Sequence, residues 1–167
     1  MNYFDYSQAI RNKIAASPQI LEKTREAFED RFEPFTAGGT VNLYFLGRLE
    51  SGLYVALRTW RKEMLEGKLP FEKRKKNLEI YCRNAEDLSD KGENVPCFCV
   101  GVIYKNSVGI FTEDLTAGET KVVTHYPDND YGFVNDKKIW IDIDYLFNSK
   151  HLGAPLSYFA ENHIIQL

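Results

Sequence analysis

Cysteine is scarce in this chain of 167 residues: Cys82, Cys97 and Cys99 are an odd set, so they cannot form a complete disulfide framework, and a reducing compartment suits them. No apolar run approaches the roughly 20 residues that a membrane-spanning helix needs. The opening segment MNYFDYSQAIRNK lacks the basic start and apolar run of a secretory signal. The expectation is a cytoplasmic protein that makes no use of a membrane. Glycine-rich phosphate loops of either the P-loop or the dinucleotide type are missing, which removes the commonest nucleotide-binding frameworks. Nothing repeats at a fixed period and no composition shift marks a linker, so residues 1–167 are expected to form one compact domain.

What is present is apolar and aromatic. Hydrophobic residues make up 44% of the chain and aromatic residues 14%, with eleven Phe and ten Tyr to supply large buried area. The formal charge of -3 is unevenly spread. Between Arg58 and Lys76 stand eight basic residues (Arg58, Arg61, Lys62, Lys68, Lys73, Arg74, Lys75, Lys76) against three acidic ones. A basic segment in an acidic chain marks a surface for phosphates or for an acidic partner, or else the solvated face of a helix.

Apolar spacing predicts two helices in the first 35 residues, divided at Ser17-Pro18, with Ser17 as N-cap and the second helix running from Pro18 to near Phe32. Val41, Leu43 and Phe45 alternate as in a short strand, although a helix fits nearly as well. Leu53, Ala56, Leu57, Trp60, Met64 and Leu65 recur at helical steps, predicting a third helix from a cap at Ser51 to Gly67. Leu78, Ile80 and Cys82 alternate as a strand, and the polar residues 84–96 read as a surface loop. CFCVGVIY, from Cys97 to Tyr104, is apolar on both faces and reads as the middle of the sheet, with Lys105 to Ser107 closing a hairpin onto Val108 to Thr112. Residues 119–125 and 139–145 complete the strands, and Ile164 and Ile165 imply a packed tail. The fold class expected is α+β: helices over about residues 5–67, then a mainly antiparallel sheet of about five strands over about residues 76–145, with all helices on one face.

The residues able to carry chemistry cluster late in the chain: Glu113, Asp114, Glu119, Lys121, His125, Asp142 and Asp144. Asp114 followed by Glu119-Thr-Lys121 has the order acid, acid-x-lysine, in which two carboxylates hold Mg²⁺ and a lysine activates water. Over those eight residues it resembles the motif of the restriction-endonuclease-like superfamily, with a shorter gap after the first acid and no parallel βαβ pattern around it. The resemblance implies a Mg²⁺-dependent nuclease or phosphoesterase. Asp142 and Asp144 fall on one strand face and, with Glu113 or His125 as the third group, form a second candidate metal set; the competing reading is a charged sheet edge that resists unwanted pairing.

Cys82, Cys97, Cys99 and His125 are the residue types of a zinc site, but Cys97-Phe-Cys99 inside an apolar strand lacks the usual knuckle spacing. Asp87-Leu-Ser-Asp-Lys-Gly92 resembles the second half of the cyclic-di-GMP-binding PilZ signature, without that family's paired arginines upstream. Asp, Ser and Gly are also ordinary turn formers.

None of these patterns is an active-site signature of high specificity. The leading expectation is therefore a small protein-binding module of the inhibitor, immunity or phage accessory type, acting through its surface without catalysis or cofactor. Its binding residues would be Arg58, Arg61, Lys62, Lys73, Arg74, Lys75 and Lys76. Two alternatives stand beside it: the Mg²⁺-dependent enzyme built on Asp114, Glu119 and Lys121, and nucleotide or nucleic-acid binding through the same basic segment.

Overall fold

A computed structural model describes residues 2–34, 41–60, 71–115, 123–125, 131–140 and 163–167. It opens with helices α1 (Tyr3–Ala15) and α2 (Pro18–Phe28). Strands β1 (Val41–Arg48) and β2 (Tyr54–Trp60), helix α3 (Phe71–Asp90) and strands β3 (Cys99–Tyr104) and β4 (Ser107–Glu113) follow. The remaining strands are β5 (Val123–His125), β6 (Tyr131–Val134), β7 (Lys137–Trp140) and β8 (Ile164–Gln166). The main sheet has the order β1-β2-β4-β3-β8, and β5, β6 and β7 form a separate three-stranded sheet. The main sheet is antiparallel except where β8 joins β3 in parallel. The expected α+β class holds, with N-terminal helices on a five-stranded, mostly antiparallel sheet.

Local chemistry explains the helix ends. Asn2 Oδ1 accepts the amide of Asp5 at 2.8 Å and caps α1. Pro18 opens α2 as expected, but the Ser17 side chain makes no capping bond. The helix stops at Phe28, short of Phe32, because Asp30 turns left-handed (φ 58°) and the Arg31 amide reaches back to the Glu26 carbonyl at 2.8 Å.

Helices cover both faces of the sheet, which corrects the one-face layout. On one face Ile10, Ile14, Ile20 and Ala27 of α1 and α2 pack against Tyr44, Leu46, Val55, Leu57, Val100, Val102 and Phe111. On the other, Leu78, Tyr81, Cys82, Ala85 and Leu88 of α3 pack against Cys99, Ile103, Val108, Ile110 and Ile164. Alternation along β3 divides its side chains between these two cores, as a strand covered on both sides requires. Glycine permits the closest approach: a Cβ on Gly101 would stand 2.7 Å from Leu78 Cδ2.

Three segment assignments are corrected. The predicted helix over 51–67 is strand β2 in its described part, because Val55, Leu57 and Thr59 point to one face while ladders to β1 and β4 satisfy both backbone edges. A short apolar run fits both periods, and pairing partners decided it. The predicted strand at Leu78, Ile80 and Cys82 lies within α3, where Leu78, Tyr81, Cys82, Ala85 and Leu88 recur at three- and four-residue steps. The loop expected over 84–96 begins only at Lys91, after two more turns of α3, and Gly92 (φ 80°) turns the chain there.

Other expectations are refined. The 41–45 segment is a strand and joins the main sheet at its edge. The centre of that sheet is β4, with β3 one place outward between β4 and β8. The β3–β4 hairpin forms where expected but turns at Lys105 and Asn106 alone, with Ser107 already in β4 and Lys105 rather than Asn106 in the left-handed conformation (φ 53°). Residues 119–125 and 139–145, expected in the main sheet, are described only over 123–125 and 139–140, and these parts belong to the smaller sheet instead.

Candidate functional site

Basic residues gather at the start of α3. Arg58 alternates with the inward Leu57 and Thr59 of β2, so it projects from the face of the sheet that α3 covers. Its guanidinium lies 5.7 Å from the centre of the Tyr81 ring, a cation–π contact from sheet to helix. Arg74 sits one turn before Leu78 on the helix stripe that faces the sheet, with its guanidinium 5.8 Å from the Phe71 ring centre. Partial burial pulls its pKa below the ordinary arginine value. Lys75 is half-buried and Lys76 exposed. Lys73 occupies the third helical residue, while Arg61 and Lys62 lie outside the described residues.

This placement has an electrostatic consequence. The exposed amides at a helix start carry partial positive charge, which acidic side chains normally offset. In α3 only Glu72 does so in the first turn, whereas Lys73, Arg74, Lys75 and Lys76 add to the positive end. The sequence displayed the charge run. It did not display that the run falls on a helix start, nor that an arginine from the sheet meets the same helix farther along, at Tyr81.

The acidic group is only partly described. Glu113 ends β4, and one of its carboxylate oxygens accepts the Cys97 amide at 3.0 Å, tying the start of β3 to the end of β4. Asp114 is buried, and its amide donates to the Tyr54 carbonyl at 3.0 Å. The backbone of His125 belongs to β5 and pairs with Gly132 of β6 in the smaller sheet. Glu119, Lys121, Asp142 and Asp144 lie outside the described residues. Among the described residues no three His, Cys, Asp or Glu side chains group as a metal site. The Cys82, Cys97, Cys99 and His125 set therefore gains no support as a zinc centre.

A polar stripe along α3 went unread in the sequence. Glu79, Arg83 and Asp87 stand four residues apart, and Arg83 and Asn84 are fully buried, with Asp87 nearly so. Arg83 forms an ion pair with Glu79. Their i, i+4, i+8 spacing is visible once residues 71–90 are taken as one helix. The PilZ-like Asp87 thus lies on a buried helix turn rather than in a ligand-binding loop.

The far edge of the sheet is pinned through α1. Arg11 Nε donates to the Ile164 carbonyl at 3.1 Å, and the Gly101 amide donates to the His163 carbonyl at 2.6 Å. His163 meets the Phe4 ring edge-on at 4.3 Å between ring centres, and burial lowers its pKa from 6.5 to about 4. No helix among the described residues is long and apolar enough to cross a membrane. Comparisons with protein-family models, curated proteins and solved structures give no match to this chain or its fold.

Proposed function

We propose that this protein is a non-catalytic binding module that docks an acidic surface of another protein against the basic start of α3. The observation that carries the reading is the run Lys73, Arg74, Lys75 and Lys76 on the first two turns of that helix, on the element that Arg58 faces. A helix start loaded with like charge carries an electrostatic cost that an anionic partner relieves. Arg58 and Arg74, held against Tyr81 and Phe71, are in place before binding, so little side-chain entropy is lost on contact.

A protein partner fits better than nucleic acid. The whole chain carries a net charge of -3, so its long-range field repels an extended polyanion. The short basic run at the start of α3 instead matches a cluster of Asp and Glu and steers its approach. Reduced cysteines support a cytoplasmic setting, and the type is that of small inhibitors, immunity proteins or phage accessory factors.

The test is capture from the native cell by the purified full-length protein, in parallel with a Lys75→Glu, Lys76→Glu variant. The expected result is a protein partner that is lost with the variant and weakens as salt rises, while the variant's thermal unfolding stays within a few degrees of the parent. Capture of the same partner by both proteins, or recovery of nucleic acid alone, would overturn the reading.

A further inference from the structure

Cys82 of α3 and Cys99 of β3 bring their sulfurs within 3.0 Å of each other across the interface between helix and sheet. Cys82 is 2% exposed and Cys99 1%, and neither is in a disulfide. A disulfide is about 2.05 Å long, so an approach of roughly 1 Å turns this contact into a bond. Both partners are firmly placed. Leu78, Tyr81, Ala85 and Leu88 seat the helix around Cys82, while β3 is paired on both sides by β4 and β8. The Cys99 amide also donates to Ser7 Oγ at 3.2 Å, which fixes the strand from α1.

We propose that Cys82 and Cys99 are a reversible thiol–disulfide pair which, when oxidised by a peroxide, latches α3 to the sheet. One thiol sulfur attacks a peroxide oxygen; the O–O bond breaks, leaving a sulfenic acid and releasing water. The second thiol sulfur attacks the sulfenic sulfur; the S–S bond forms, the S–O bond breaks and a second water leaves. Two thiols and one hydrogen peroxide give one disulfide and two waters, with two electrons passing from sulfur to oxygen. An external dithiol reverses the bond by exchange.

The surroundings set the rate and the product. Burial and the neighbouring Cys82 sulfur raise the Cys99 thiol pKa, opposed by the Arg58 guanidinium, so little thiolate is present and the first step is slow. Peroxide reaches the pair when α3 lifts transiently from the sheet. Once one sulfur is oxidised, its partner is already adjacent, which favours the disulfide over further oxygenation. Cys97 is the more accessible thiol, but it packs with the core on the opposite face of the sheet, so it is not the designated partner. The latch does not depend on the docking reading, although α3 carries both.

The full-length protein is incubated with hydrogen peroxide under native conditions, alkylated after denaturation and digested for mass spectrometry. The expected product carries one alkyl group where the reduced protein carries three, has the Cys82 and Cys99 peptides joined, and is alkylated at Cys97. Its Tm should rise by roughly 5–10 °C and return on treatment with dithiothreitol, as a bridge across a short loop implies. Cys97→Ser should form the same bridge, so the test needs no substitution at the buried pair itself. A bridge to Cys97, oxygen addition without any bridge, or a Cys82–Cys99 bridge that forms only in urea would overturn the proposal.

Discussion

Gly101 of β3 lies under Leu78 of α3 with no room for a side chain between them: a Cβ would meet Leu78 Cδ2 at 2.7 Å, Leu78 Cδ1 at 3.0 Å and Ile164 Cγ1 at 3.1 Å. Leu78 is itself fully buried, so it cannot swing aside cheaply. Gly101→Ala should therefore destabilise the fold by about 1–3 kcal/mol, read as a lower midpoint in urea. Leu78→Ala in the same background should recover part of that loss by opening space. A neutral Gly101→Ala would mean that α3 does not press on β3 at this point.

The Glu79–Arg83 pair makes a prediction that separates two kinds of contribution. Arg83 is the fully buried member, so taking its anion away with Glu79→Leu should cost about 3–5 kcal/mol, while Glu79→Leu combined with Arg83→Met should recover most of it. A double-mutant cycle by thermal or urea unfolding gives the coupling. Additive losses would show that the pair does not act as a unit.

His163 predicts a specific acid sensitivity. Its pKa is lowered from 6.5 to about 4 by burial, so between those values the unfolded chain holds a proton that the folded chain rejects. Stability should accordingly fall as pH drops from 6.5 towards 4, by on the order of 3 kcal/mol in full. His163→Gln should lose this component, so the stability difference between variant and parent should change across that window and be constant above it. Urea midpoints measured from pH 7.5 to 4 check this, and a pH-independent difference would refute the assignment.

The basic start of α3 should cost stability in the absence of a partner. Lys73→Glu places an acid at the third helical residue, where it complements the helix dipole, and should raise stability by about 0.3–1 kcal/mol at low salt. The gain should shrink as ionic strength rises. The same substitution should weaken partner capture, so stability and binding move in opposite directions.

Part of this fold was open to reading from the residues. Ser17-Pro18 marked the break between α1 and α2, and the hairpin at Lys105 followed from two apolar runs flanking the short segment Lys105 to Ser107. The exchange of strand for helix at β2 and α3 has one cause. YVALRTW satisfies a helical spacing as well as an alternating one, and LEIYC alternates locally inside a longer helical pattern. For short runs the choice rests on tertiary pairing, which no window of residues contains. The candidate site shows the same limit: the charge of the basic segment was plain, but the meeting of Arg58 with Tyr81 depends on a strand lying beside a helix. The contact of Cys82 with Cys99 likewise depends on α3 crossing β3.

Strand β8 gives the fold an order of assembly. The β3–β4 hairpin closes locally through Lys105 and Asn106, but β3 gains its other neighbour only when Gln166, 63 positions from Ile103, comes back beside it. Closing so large a loop carries an entropic cost that the hairpin does not, so β8 should dock after the antiparallel strands have formed. During synthesis the outer edge of β3 therefore emerges well before its parallel partner. For that interval the nascent chain exposes a strand edge, and a chaperone or a neighbouring chain competes with β8 for it.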